Sequence, residues 1–187
     1  MKLLLSLAIA VGIIAFSSTD THAETPLQPA PGSCDYLNNE MGMSDYQVYI
    51  MYKSYMWGLP FDMGYSMAAI AFAESSAGLY LDNPNDPSAG VHHILVWHVM
   101  DDLGIERTNE NIEITMEMLA SNFSLSAHYA IEVLSYWYNE HNGNWYNTWR
   151  SYNRGYYNRN ESARTASIRY ANKINYLVKT IQRNCNW

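Results

Sequence analysis

Glu74 stands at the end of an otherwise apolar run, Met67-Ala-Ala-Ile-Ala-Phe-Ala, and is followed directly by Ser75 and Ser76. The run reads as a helix. A carboxyl group at its C-terminal end meets desolvation by the apolar face and the negative end of the helix dipole, and both disfavour ionisation. Its pKa is thereby raised toward the range useful for donating a proton near neutral pH. The plainer alternative is a glutamate that turns to solvent at a helix end. Downstream, Asn83-Pro84-Asn85-Asp86-Pro87-Ser88-Ala89-Gly90-Val91-His92-His93-Ile94 supplies turn residues for a loop, with Gly90 permitting close backbone approach. Later, Trp149-Arg150-Ser151 leads into a Tyr152-Asn153-Arg154-Gly155 turn at another helix end.

Taken in order, Glu74-Ser75, then Asn83-Pro84-Asn85 with Ser88-Ala89-Gly90 and an apolar residue, then Tyr-Asn-x-Gly, resemble the soluble lytic transglycosylase group of the lysozyme superfamily. The resemblance covers about residues 44–180, and its specific parts are those three short motifs. It implies a lysozyme-like helical domain in which Glu74 is the sole catalytic acid/base, with Ser75, Ser88, Gly90, His93 and Tyr152 around the substrate. Asn153 fixes the turn. The implied reaction cleaves the β-1,4 bond between MurNAc and GlcNAc in peptidoglycan and forms a 1,6-anhydroMurNAc end, without cofactor. One departure is visible: the family's Gly-Leu-Met-Gln or Gly-Leu-Phe-Gln is here Gly90-Val91-His92-His93, so an imidazole replaces an amide at position 93.

Two rival readings stay open. In a hydrolase like the goose-type lysozymes, Asp82 or Asp86 would position water, although both also suit turn capping. A non-catalytic peptidoglycan-binding protein of the same fold is the other. Zinc is disfavoured: His92, His93 and His98 are expected on one helix and His128 on another, but His93 and His98 are five apart and no His-Glu-x-x-His occurs. These imidazoles are expected in the groove or on the surface. Ser75 has no evident His and Asp partners for nucleophilic chemistry.

The elements that must position these residues are helical. Ser44 can cap a helix to about Trp57, ended by Gly58, and Pro60 helps start the next, about Phe61 to Ser76. After the loop from Leu81 to Ser88, an apolar helix is expected from about Gly90 to Leu103, closed by Gly104. Thr108 and Ser124 are candidate caps for two more, the second ending at Asn142-Gly143. A short aromatic helix covers about Trp145 to Tyr152, and Asn160 caps a last one to about Arg183. With no alternating strand pattern of useful length, the expected fold is all-α, one domain over 44–187.

The 187-residue chain, 48% hydrophobic, suits one well-cored domain. Its N-terminus places Lys2 before an uncharged run from Leu3 to Phe16 and ends in Thr21-His22-Ala23. That run is too short to span a bilayer, which takes about 20 apolar residues, and reads as a signal peptide over 1–23. An uncleaved anchor is the rival. Residues 24–43 read as an extended leader, proline-rich as far as Cys34. The only two cysteines, Cys34 and Cys185, flank the domain, and export to an oxidising compartment, periplasmic or extracellular, favours their pairing. With 18 acidic against 11 basic residues, the net charge of -7 disfavours nucleic acid as a partner. The expected partners are glycan strands and, further out, cell-envelope or secretion machinery; the expected form is a monomer.

Overall fold

The computed structural model describes residues 32–83, 85–156 and 159–187. The signal-peptide reading of 1–23 and the first part of the leader, 24–31, lie outside them. Within them the chain forms one all-α domain with a single two-stranded hairpin. Its elements are α1 (Asp35–Asn39), α2 (Asp45–Gly58), α3 (Gly64–Ser75), β1 (Ser88–Ala89), β2 (Ile94–Leu95), α4 (Val96–Leu103), α5 (Asn109–Ser121), α6 (Phe123–Glu140), α7 (Trp145–Arg154) and α8 (Glu161–Asn184). A 3-10 turn, Leu59–Phe61, links α2 to α3 and carries Pro60 near its start. Position 35 onward, expected as leader, is already helical in α1.

Side-chain caps start most of the helices. Ser44 and Gln47 form a reciprocal capping box on α2, while Thr108 accepts from the Asn111 amide and Asn160 from that of Ala163. The cap of α6 is Asn122, two residues before the expected Ser124, and its side chain accepts from Leu125 N–H. Among neighbouring cap-forming residues, the asparagine whose backbone is extended takes the position.

α3 is central because it is apolar all round, as a fully buried helix must be. Met67, Ala69 and Ile70 pack into a core with α4, α6, α7 and α8 through Met100, Leu134, Trp149 and Ile174. Ala68 and Ala71 face a second cluster with Leu37, Met51, Tyr55 and Ile181. Small side chains on that face let α2 approach closely. A Cβ on Gly64 would stand 2.7 Å from the Tyr55 ring.

The largest departure from sequence expectation lies between 88 and 95. The apolar helix expected from Gly90 begins only at Val96, and the preceding residues form the antiparallel hairpin, pairing Ser88 with Leu95 and Ala89 with Ile94. Gly90 and His93 have φ of 83° and 44°, which break helical continuity. Val91 in the turn and Ile94 at the start of β2 are both buried, a spacing that mimics a helix. His92, His93 and His98 therefore do not share a helix.

Cys34 and Cys185 are bonded, with Cα atoms 5.0 Å apart across 151 residues of sequence. The bond ties α1 to the end of α8, where Trp187 Nε1 also donates to Gly32 O at 3.1 Å. Closing a loop of this length stabilises the fold by about 5 kcal/mol in the chain-entropy description. Replacing both cysteines by serine should accordingly lower the melting temperature by roughly 10 °C or more; an unchanged calorimetric transition would show that the link contributes nothing.

Candidate active site

The α3 helix stops abruptly one residue past Glu74, at Ser75. Ser76 and Ala77 adopt left-handed backbone, φ 51° and 55°, and their amides return to Phe72 O and Ala71 O. Glu74 is thus held in the last turn at the edge of a cleft of about 800 Å³. Its side chain is 16% exposed, enough for the carboxyl to reach a ligand. Tyr170 of α8 donates to Glu74 Oε1 at 2.5 Å, and His93 Nδ1 stands 3.7 Å from Oε2. Because the phenol is the donor to Oε1, the proton of the neutral acid belongs on Oε2. One turn along α8, Lys173 donates to Ala73 O at 3.3 Å, satisfying a carbonyl at the end of α3.

Burial dominates the electrostatics and raises the Glu74 pKa to about 7. The Tyr170 hydrogen bond and the charges of Lys173 and Arg154 pull it down, while Asp86 adds to the rise. Tyr152 and Tyr170 are held well above the ordinary tyrosine range, first by burial and then by the nearby Glu74 charge. Both stay hydroxyl donors. The cleft therefore presents a carboxylic acid that is substantially protonated near neutral pH, backed by two phenols.

The residues singled out from sequence divide into two groups. Glu74, Ser88, His93 and Tyr152 all line the cleft. Ser75 and Gly90 lie beneath it. Ser75 is fully buried: its hydroxyl reaches Val91 O at 2.7 Å and accepts from Gly78 N–H at 2.8 Å, pinning the hairpin turn to the end of α3. A Cβ on Gly90 would come within 2.6 Å of Leu119 O and 2.7 Å of Ser126 Oγ, so glycine allows the turn to pack on α5 and α6. Tyr152 donates to His92 O at 2.9 Å, fixing the same turn from α7.

His92 is a core residue, contrary to the groove or surface position expected for it. It is fully buried, with ring nitrogens 3.2 Å from Ser126 Oγ and 3.2 Å from Ser54 Oγ. Ser54 donates to Ile50 O, so its oxygen accepts from His92 Nε2–H and leaves Nδ1 to accept from Ser126. Burial lowers its pKa to about 3. His93 instead orients through Nε2–H, donated to Tyr80 O at 2.9 Å, which turns Nδ1 toward Glu74. His98 lines the cleft from α4, and His128 is exposed beside Glu132 on α6.

Of the two aspartates, Asp86 lines the cleft; its Oδ1 accepts from Ser88 Oγ at 2.5 Å and Asn83 Nδ2 at 3.0 Å. Asp82 is engaged through its backbone in a bridge with Ala89. Among the described residues no three His, Cys, Asp or Glu side chains converge as a metal site. Tyr170 escaped the sequence reading: it stands 96 residues from Glu74 on an amphipathic helix, with no local signal to mark it. No protein-family model matches the sequence, and no curated protein or solved structure matches it.

A carboxyl whose pKa is raised on folding, from 4.5 to about 7, penalises the folded state increasingly as pH climbs between those values. The penalty is absent below the unfolded pKa and reaches about 3 kcal/mol above the folded one. Glu74→Gln should therefore gain stability over the parent between pH 4 and pH 8 in denaturant titrations. A stability difference independent of pH would contradict the raised pKa.

Proposed function

We propose that the protein is a peptidoglycan lytic transglycosylase of lysozyme-like architecture, with Glu74 as its single acid/base. The observation that carries this reading is the near-neutral carboxyl of Glu74, held by Tyr170 at the edge of a cleft large enough for sugar rings. The three ordered motifs support it, and all three converge on this cleft: Glu74 from the first, Ser88 from the second, Tyr152 from the third. The Cys34–Cys185 bond supports export to an oxidising compartment after removal of residues 1–23.

The chemistry follows from which oxygen carries the proton. Glu74 Oε2 protonates the glycosidic oxygen between MurNAc and GlcNAc, and the C1–O bond breaks as the substrate's own acetamido oxygen closes on C1. The carboxylate left behind stays bonded to Tyr170, then takes the proton from the MurNAc 6-hydroxyl as that oxygen displaces the acetamido group. The product carries a 1,6-anhydro ring, and Glu74 regains its proton. Tyr152 holds the hairpin turn that carries His93 against the acid, so that the cleft wall keeps its shape through both steps.

Hydrolysis is the second reading, favoured by one observation: Asp86 lines the same cleft as Glu74, and in this reading it would orient the attacking water. Mass spectrometry of chain ends released from purified peptidoglycan separates the two. The transglycosylase reading expects anhydro ends, lighter by one water than reducing ends, with Asp86→Asn retaining most activity and Glu74→Gln losing nearly all. Reducing ends, together with a loss of at least about a hundredfold in Asp86→Asn, would establish the hydrolase instead. No new ends of either kind would leave a binding protein.

A further inference from the structure

We infer that His93 is the positioning residue of the acid: its unprotonated Nδ1 holds the Glu74 proton on Oε2, and the two side chains work as one pair. The pair itself belongs to the folded domain; its part in catalysis rests on the glycan-cleaving reading of the cleft.

The two oxygens of the Glu74 carboxyl have different neighbours. Tyr170 donates to Oε1, whereas among the described residues no hydrogen bond is donated to Oε2, which faces His93 Nδ1 at 3.7 Å. That gap is too short for a water between them, because two hydrogen bonds of about 2.8 Å meeting at one oxygen span more than this. A movement of about half an ångström closes it to a direct hydrogen bond. The neutral ring can only accept in that bond. Its Nε2 stands 2.9 Å from the Tyr80 carbonyl, an acceptor with no proton of its own, so the ring carries its hydrogen on Nε2 and bares the Nδ1 lone pair.

The backbone holds the ring in that aim. His93 has φ of 44°, a left-handed conformation that a residue with a Cβ adopts at a cost and keeps only where its surroundings fix it. Its amide donates to Gly90 O at 3.1 Å, and Tyr152 binds the carbonyl of the residue before it. The result is a side chain only 9% exposed beside Glu74. The residue type then matters. A glutamine amide here presents an N–H as readily as an oxygen, and an N–H on Oε2 stabilises the carboxylate. An imidazole whose Nε2–H is already committed presents an acceptor alone, which favours the acid.

Other groups nearby do not take this role. His92 is turned into the core between two serines and stays neutral, its pKa about 3. Tyr152 is committed as a donor to His92 O. Asp86 in the loop, Arg154 of α7 and Lys173 of α8 act on Glu74 through their charge. His98 of α4 and Arg159 complete the titratable and charged groups on the cleft wall among the described residues. During turnover the pairing acts twice. It first keeps the proton on the oxygen that gives it to the glycosidic bond. Oε2 and Nδ1 then face each other as two acceptors, a contact that makes the carboxylate a stronger base and favours its recovery of the MurNAc 6-hydroxyl proton. Glu74 returns to the acid form and the imidazole is unchanged.

The test is nitrogen-15 and carbon-13 NMR of the folded protein without substrate, followed by cleavage assays. His93 should carry its proton on Nε2, and its Nδ1 resonance should take a step at the Glu74 midpoint, near pH 7, that Glu74→Gln abolishes. Neither readout needs a change at position 93, so both hold even where such a variant fails to fold. In His93→Gln the Glu74 midpoint should fall by about one pH unit. Peptidoglycan cleavage by that variant should drop about fivefold at neutral pH, as the protonated fraction of the acid falls from about a half to about a tenth, and return to the parent rate below about pH 5. A proton on Nδ1, an Nδ1 step that survives Glu74→Gln, or a Glu74 midpoint unmoved in His93→Gln would overturn the pair. So would a loss of cleavage that persists at low pH, which marks a role in shape alone. Absence of cleavage by the parent, with the NMR results as expected, would overturn the glycan reading and leave the pair in place.

Discussion

Keeping one carboxyl group largely out of water at the end of a buried helix is the constraint around which the rest of the domain is arranged. Desolvating a carboxylate is costly, and a glutamate free to rotate would escape to water. Glu74 is prevented from doing so by α8, which crosses the end of α3 and lays Tyr170 against one carboxyl oxygen and Lys173 against a terminal carbonyl. The bond from Tyr170 favours the ionised form, so the pKa near 7 is a compromise between burial and that bond. An acid balanced in this way can both give and recover a proton.

The hairpin turn between β1 and β2 closes the other side. It would be a weak element alone, since two residues per strand form few backbone bonds. Three anchors hold it: Ser75 on Val91 O, the His92 ring between Ser54 and Ser126, and the Tyr152 hydroxyl on His92 O. Each anchor comes from a different helix, α3, α2 with α6, and α7. The position of His93 beside Glu74 is therefore set by the packing of the whole bundle. This explains why residues that never touch the cleft, Ser75 and Gly90, sit inside the motifs that mark it.

Glu74 was legible because a lone charge at the end of an apolar run has few explanations. The disulfide was legible because two cysteines leave one pairing, and most helix starts could be read from capping residues with strong local chemistry. The hairpin was hidden: Val91 and Ile94 point into the core at a spacing that imitates a helix, and positive φ at His93 is not encoded by its residue type. Tyr170 was invisible for a different reason. Its role exists only once α8 has packed on α3, and nothing local distinguishes it from the other tyrosines on helix surfaces. Roles of Ser75 and Gly90 were misplaced by one layer, since sequence order reports proximity to a site without saying which side of the backbone faces it.

The account depends on Glu74 keeping a substantial protonated fraction near neutral pH, where an ordinary glutamate is ionised. Carbon-13 NMR of the side-chain carboxyl, assigned by comparison with Glu74→Gln, measures this without reference to any substrate. The account predicts a titration centred near pH 7, well above that of the exposed glutamates in the same spectrum. A midpoint near 4.5 would contradict it, because a group already ionised at neutral pH cannot serve as the acid that the cleft is built around.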